Sequence, residues 1–207
     1  MDIILILLKV LALFIALTIH EFTHGWVARR LGDPTAEARG RLTLNPKDHI
    51  DPFGTILLPA ILILTHSPVV FGWAKPVPID PRYFHDPRKG MMWSALGGPL
   101  ANLLLAGVLA IILKGMLLAG IFIKVVILFL LITVQLNIFL ALFNLIPIPP
   151  LDGGRVMVGL LPAGPAMALS RIEPYGFLIV LVLMYFNVLD RFIYYPVQVL
   201  MRFLGVT

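Results

Sequence analysis

His20, Glu21 and His24 are the residues whose types and spacing best fit a chemical reaction. They form the pattern H-E-x-x-H and come directly after an apolar run over residues 3–19. Residues four apart share one face of a helix, so the two imidazoles point the same way and can bind one zinc ion. The carboxylate between them can take a proton from water that the metal activates. A chance match is the alternative, but ionisable side chains are costly in an apolar span, which favours a function.

Asp152 is a candidate for a third metal ligand. A catalytic zinc site has three protein ligands and one open position, and the two histidines supply only two. The chain contains no cysteine, so a further ligand must be His, Asp or Glu. Asp152 follows a proline-rich break over residues 147–150. It could instead cap the helix that starts at Gly153, and the sequence alone leaves both roles open.

The composition indicates a membrane protein. The 207 residues are 59% hydrophobic and 13% charged, with a mean hydropathy of +0.97. A soluble domain could not bury that much apolar surface. The net charge is +5, but the basic residues lie between apolar runs, which is typical of loops that orient membrane helices. We therefore expect a multi-pass protein of the cell membrane, with the lipid bilayer and not nucleic acid as its surroundings.

The apolar runs predict an all-α polytopic fold with about four to six membrane helices. The predicted helices cover residues 3–31, 91–113, 121–146, 152–161, 175–189 and 191–204. At 1.5 Å per residue, His20 lies roughly 26 Å along the first helix from Ile3. The histidine pair is therefore expected inside the membrane, near one surface. Every fourth residue from Gly98 to Ala110 is small or Asn102, which predicts close helix packing and an interhelical hydrogen bond from that amide.

Two basic loops flank a short apolar segment before the second long helix. Residues 33–50 and 66–90 are rich in Arg and Lys, and residues 53–65 between them are apolar. The positive-inside rule places both loops in the cytoplasm, which a re-entrant segment allows and a full span does not. Residues 41–44 and 71–77 look extended. They predict short strands near the cytoplasmic face that could pair with an unwound substrate.

Three motifs in order resemble the site-2 protease family of intramembrane zinc metalloproteases. They are H-E-x-x-H at 20–24, Gly-Pro-x-x-Asn at 98–102, and Asn-x-x-Pro followed by Leu-Asp-Gly at 144–153. The match covers residues 15–160. The resemblance implies hydrolysis of peptide bonds in transmembrane segments of single-span membrane proteins.

The resemblance also implies a cofactor and a set of site residues. It implies Zn²⁺ held by His20, His24 and Asp152, with Glu21 as the general base and Asn144 positioning the substrate backbone. We expect one integral-membrane protease domain over residues 1–207. Its catalytic core covers about 3–160 and its C-terminal helices about 173–205. Because there is no room for a PDZ domain or an appended regulatory domain, the chain resembles a minimal member, with its active site near the cytoplasmic face.

Two other classes of protein remain as alternatives. A different H-E-x-x-H membrane metallopeptidase would use a glutamate as third ligand, and Glu173 is the one glutamate after the second predicted span. A non-catalytic membrane binding or transport protein is the other alternative, although it has no need of Glu21. The histidines outside the motif lack partners at a metal-binding spacing, and we predict that none is catalytic: His49, His66 and His85.

Overall fold

The structure is a computed structural model that describes residues 3–65 and 72–206, and its regular elements are helices. The α-helices are α1 (Ile3–Arg30), α2 (Thr35–Ala38), α3 (Leu58–Leu64), α4 (Pro87–Leu118), α5 (Lys124–Asn144), α6 (Asp152–Leu160), α7 (Ala163–Ser170), α8 (Glu173–Tyr185) and α9 (Val188–Phe203). A π-helical segment, Pro52–Leu57, leads into α3. Single 3₁₀ turns occur at Pro46–His49 and Pro81–Tyr83.

Among the described residues, α1, α4 and α5 are each long and apolar enough to cross a membrane. The pair α7 and α8 adds a fourth candidate only if it is one broken span, since the two helices are bent by 67° at the break. This arrangement fits a multi-pass membrane protein. The number of candidate spans, three or at most four among the described residues, reaches only the lower end of the predicted range of four to six.

The long helix α4 begins earlier than hydropathy predicts because its first turn is polar. The Asp86 carboxylate accepts hydrogen bonds from the backbone N–H groups of Arg88 and Lys89, and Pro87 occupies the first helical position. The bond from the Lys89 N–H is the main cause that holds the pKa of Asp86 below its usual value. A carboxylate that stays charged at a helix N-terminus also interacts favourably with the helix dipole.

α4 lies at the centre of the fold and packs against α1, α5 and α6. Its residues at the predicted four-residue interval are all buried, which confirms the small-residue face: Gly98, Asn102, Ala106 and Ala110. Further along the same helices, an apolar core joins α4 and α5 to α8 and α9. The α9 residues in this core follow helical spacing, at Leu189, Ile193, Val197 and Met201.

The predicted strands are not formed. Residues 41–44 and the described part of 71–77 are irregular, and the described residues contain no β-strand. Pro76 and Pro78 lack the backbone N–H that a strand ladder requires. The alternating pattern of residues 41–44 therefore belongs to a loop, and we correct the prediction of strands near the cytoplasmic face.

The apolar segment predicted as re-entrant is a single short helical stretch over residues 52–64, and the structure does not support a re-entrant segment there. The stretch is too short to be one of the candidate spans. The chain that follows returns to the beginning of this stretch. The Trp73 N–H donates to the Gly54 carbonyl at 3.1 Å, and the Thr55 hydroxyl donates to the Trp73 carbonyl at 2.7 Å.

Candidate metal centre

His20 and His24 on α1 meet Asp152 at the first position of α6. The Asp152 Oδ2 atom lies 3.1 Å from His20 Nε2 and 3.2 Å from His24 Nε2, and the two Nε2 atoms are 3.0 Å apart. All three side chains are buried. These donor atoms are close enough to hold one metal ion. The structure thus brings together the three residues that the resemblance assigns to zinc.

His24 is oriented by Ser94 on α4. Its Nδ1 lies 2.7 Å from the Ser94 backbone carbonyl, which can only accept, so Nδ1 carries the proton. The Ser94 hydroxyl in turn donates to the His24 carbonyl at 2.9 Å. This reciprocal pair fixes the ring and leaves the lone pair of Nε2 directed at Asp152.

His20 is oriented by Asn102, which lies about two helical turns after Ser94 along α4. The Asn102 amide nitrogen donates to the Ala16 carbonyl at 3.0 Å and to the Asn137 side-chain oxygen at 2.7 Å. Its oxygen therefore faces His20 Nδ1, at 2.7 Å, and accepts the proton of that nitrogen. Asn102 makes the predicted interhelical hydrogen bonds, and one of them fixes the tautomer of a candidate metal ligand.

The chemistry of the donor set fits a cation. With both Nδ1 atoms protonated, two imidazole lone pairs and a carboxylate oxygen face one another at about 3 Å. Asp152 Oδ2 is also buried, and it has no hydrogen-bond partner among the residues that the structure describes. Such an oxygen is costly unless another group satisfies it, and a metal cation is such a group. Zinc–ligand bonds of about 2.0–2.2 Å allow one ion to reach all three donors.

Gly98 allows the two imidazoles to lie directly against α4. A Cβ atom at this position would be 2.5 Å from His24 Nε2 and 2.8 Å from His20 Cε1. Both distances are well below normal van der Waals contact. Only glycine leaves room here for the rings without moving α1 away from α4.

Asp152 reaches the histidines because α6 begins in a tight turn after α5. Gly153 and Gly154 lie against the backbone of residues 145–149, and a Cβ at either glycine would overlap that backbone. Leu151 occupies the N-cap position of α6, and Asp152 Oδ2 has no hydrogen-bond partner among the described residues. Its alternative role as a helix cap is therefore not the one that the geometry supports.

The metal-binding group opens onto a cavity of about 580 Å³ between the helices. Glu21 lines this cavity, and its Oε2 accepts a hydrogen bond from the Val77 backbone N–H at 2.9 Å. Asn144 lines the same cavity from the end of α5, with its amide nitrogen donating to the Leu140 carbonyl at 2.9 Å. The predicted base and the predicted substrate-positioning residue therefore share one cavity with the candidate ligands.

The alternative third ligand, Glu173, is not part of this group. Its carboxylate lies 3.6 Å from the Arg155 guanidinium at the surface, with both side chains partly exposed. Of the other histidines, His49 is bonded to the Thr43 carbonyl at 2.8 Å and His85 is exposed, while His66 is outside the described residues.

Ser94 is a candidate site residue that the motifs did not reveal. Its key atom is a backbone carbonyl, which has no side-chain signature. A signal was nevertheless present, because Ser94, Gly98 and Asn102 follow one another at intervals of four along one face of α4.

Comparisons with known proteins also point to a zinc metalloprotease. The model of Peptidase family M50 matches residues 8–126 and 116–186. Two relatives bear the name "Putative zinc metalloprotease". YwhC of Bacillus subtilis is 43% identical over 179 residues, which are 84% of this chain and 78% of that protein. Rip2 of Mycolicibacterium smegmatis is 31% identical over 204 residues, which are 93% of this chain and 72% of that protein.

No solved structure matches the chain. The family match nevertheless extends over most of its length and includes both the histidine pair and Asp152. The chain belongs to Peptidase family M50, the site-2 protease family, and is a zinc metallopeptidase.

Proposed function

We propose that the chain is an intramembrane zinc metalloprotease that hydrolyses peptide bonds within transmembrane segments of single-span, membrane-anchored proteins. The observation that supports this most is the position of the metal-binding group. His20 and His24 lie on α1, a candidate span, roughly 26 Å or more along the helix from Ile3. The cavity that they share with Glu21 is lined by α1, α4, α5, α6 and α8, together with loop residues between 72 and 79.

In this proposal His20, His24 and Asp152 hold the zinc ion. Zinc bound there would polarise the scissile carbonyl and make water at the site more acidic. Glu21 accepts the proton of the attacking water at its carboxylate and delivers it to the nitrogen of the leaving amine. Ser94 and Asn102 keep the imidazoles in the tautomer that ligation requires.

Asn144 is proposed to hold the backbone of the substrate. Its amide nitrogen is bonded to the Leu140 carbonyl, while its side-chain oxygen accepts no hydrogen bond within the described residues. That oxygen can accept a backbone N–H of the substrate. A transmembrane helix satisfies its own N–H and C=O groups, so it must unwind locally before either is available.

The active site is proposed to lie near the cytoplasmic face of the cell membrane. Contacts join the two basic loops, since the Arg41 guanidinium donates to the Lys75 carbonyl at 3.0 Å and the Asp80 N–H donates to Asp33 at 2.8 Å. Loops that touch lie on one side, so we infer that residues 52–64 do not cross the membrane. The positive-inside rule then assigns that side to the cytoplasm.

The proposed activity is tested with the purified chain in lipid vesicles and a panel of single-span peptides. We expect cleavage inside the apolar segment of some peptides, loss of cleavage with a chelator, and recovery when zinc is added back. Cleavage that persists in the chelator, or that occurs only in soluble flanking segments, would refute the proposal.

Glu21→Gln is the matched catalytic variant for this assay. An amide cannot accept a proton, whereas both imidazoles and Asp152 remain in place. We expect unchanged zinc content by metal analysis and a fall in the cleavage rate of about 100-fold or more. Cleavage near the wild-type rate would remove Glu21 from the mechanism.

A further inference from the structure

Residues 72–80, here called the strap, run in an irregular extended conformation beside the metal-binding group. Several of them line the cavity: Gly72, Trp73, Ala74, Pro76, Val77 and Ile79. One backbone group of the strap contacts the candidate machinery directly. The Val77 N–H donates to Glu21 Oε2 at 2.9 Å.

The C-terminal end of the strap is fixed by a buried carboxylate. Asp33, which is 0% exposed, accepts the Asp80 N–H with one oxygen at 2.8 Å and the Thr35 N–H with the other at 2.9 Å. Asp80 is itself held by Arg82, whose side-chain hydrogen bond is the main reason that the pKa of Asp80 is lowered to about 2. This end of the strap is therefore attached to the turn that follows α1.

The middle of the strap, just before Val77, is fixed by hydrogen bonds to its backbone. The Lys75 N–H donates to the His49 carbonyl at 2.9 Å. The Arg41 guanidinium donates to the carbonyls of Lys75 and Pro76 at 3.0 and 3.3 Å. Val77 thus lies between two attached points, one residue after Pro76 and three residues before Asp80.

The Val77 side chain adds a third point of attachment, on α1. It is 7% exposed, and a Cβ on Gly25 would lie 2.9 Å from its Cγ1 atom. Gly25 is four residues after Glu21, so both lie on the same face of the helix. The packing of Val77 on Gly25 holds the Val77 N–H next to the Glu21 carboxylate.

We propose that the backbone amide of Val77 is a positioning group for the general base. The terminal torsion of a glutamate is broad, so its two oxygens exchange places easily in a free side chain. One N–H at a fixed point binds Oε2 and leaves Oε1 to face the cavity. Pro76 and Pro78 have no N–H, so Val77 supplies the one donor within this tripeptide. The inference rests on the proposed function, in which Glu21 transfers the proton.

The test compares two substitutions at one residue. Val77→Pro removes the N–H and keeps three side-chain carbons, closed into a five-membered ring, near Gly25, whereas Val77→Ala keeps the N–H and removes most of that packing. We expect both variants to retain zinc and to have a KM within about twofold of each other. We expect kcat of Val77→Pro to be about 10- to 100-fold lower than that of Val77→Ala, since small displacements of a catalytic group cost factors of this size.

An equal kcat in the two variants would overturn the inference. If Val77→Pro does not fold, an ester at this position, made with the α-hydroxy acid that keeps the valine side chain, removes the same N–H. A wild-type kcat in the ester variant would also overturn the inference. If the wild-type chain cleaves and the ester variant matches it, only the inference fails, whereas a wild-type chain that cleaves no peptide refutes the proposed function itself.

Discussion

At the scale of single residues, the candidate metal centre is organised by hydrogen bonds on the far side of each imidazole. His20 donates to an amide oxygen of Asn102, and His24 donates to the backbone carbonyl of Ser94. Both partners are on α4, so one helix sets the orientation of two ligands on another. The lone pairs of the imidazoles are directed at Asp152 by the protein fold alone.

Asn102→Ala should weaken zinc binding, because His20 then lacks the acceptor that fixes its tautomer. Loss of such an outer partner typically lowers metal affinity by about 10- to 100-fold. Asn144→Ala is the matched control for affinity, since within the described part of the chain the Asn144 amide bonds only to the Leu140 carbonyl of its own helix. Competition with a zinc-sensitive dye measures both affinities. An equal zinc affinity in the two variants would contradict the role of Asn102.

Asp152 is tested by the length and charge of its side chain. Asp152→Asn should lower zinc occupancy and cleavage together, because an amide is a poorer ligand than a carboxylate. Asp152→Glu moves the carboxylate out by one methylene, so we expect it to retain some metal and to lose most of the activity.

Glu173→Ala is the control for this series, as Glu173 pairs with Arg155 at the surface. Metal analysis of the purified variants is the measurement, and Glu173→Ala should keep full zinc occupancy. Should Asp152→Ala keep full occupancy instead, Asp152 is not a ligand and the third donor lies elsewhere.

At the scale of elements, the sequence predicted the features that depend on side-chain type and periodicity. The sequence predicts α1 and α5 from their apolar runs. It predicts the packing face of α4 from small residues that recur at helical spacing. The polar first turn of α4 was missed, since its stability comes from the Asp86 cap rather than from hydropathy. Alternation at residues 41–44 predicts a strand, but the segment is a loop whose Leu42 side chain lies against Gly25 of α1.

The metal centre was similarly predictable only in part. His20, His24 and Asp152 have side chains that signal metal binding, and the structure brings them together. Ser94 and Val77 act through backbone groups, whose positions depend on how distant segments pack. That packing cannot be read directly from a single sequence.

The approach of α1 to α4 gives a prediction at the level of these helices. Gly98→Ala adds a methyl group 2.5 Å from His24 Nε2, so the imidazoles must move and zinc affinity should fall. Gly107→Ala is the matched control on the same helix, because nothing lies within 4 Å of its added Cβ. It replaces glycine by a better helix former and should leave zinc binding unchanged and stability equal or higher.

Zinc titration and thermal unfolding of the two variants distinguish a local effect from misfolding. We expect Gly98→Ala to keep its helical circular dichroism while losing metal affinity. Wild-type affinity in Gly98→Ala would show that the rings have more room than the structure gives them.

At the scale of the whole molecule, the number of crossings determines which loops meet. In the proposed topology, α1 presents His20 and His24 near its C-terminal end, the candidate span α4 returns across the membrane, and the candidate span α5 crosses again before Asp152. The two crossings after the histidines, by α4 and α5, then bring Asp152 back to their side of the membrane. This holds only if residues 52–64 stay on that side, which we proposed from the contacts between the loops on either side of them.

Single cysteines test this topology cleanly, because the native chain contains none. The two basic loops on either side of residues 52–64 contain Lys47 and Arg82. We expect Lys47→Cys and Arg82→Cys to react with an impermeant thiol reagent only from the cytoplasmic side. Ile121→Cys lies in the short connection between α4 and α5 and should react only from the opposite side. If positions 47 and 82 react from opposite sides, residues 52–64 cross the membrane. The two imidazoles and Asp152 could then share a side only with a further crossing before α6, and the arrangement of α1, α4 and α5 described here would be wrong.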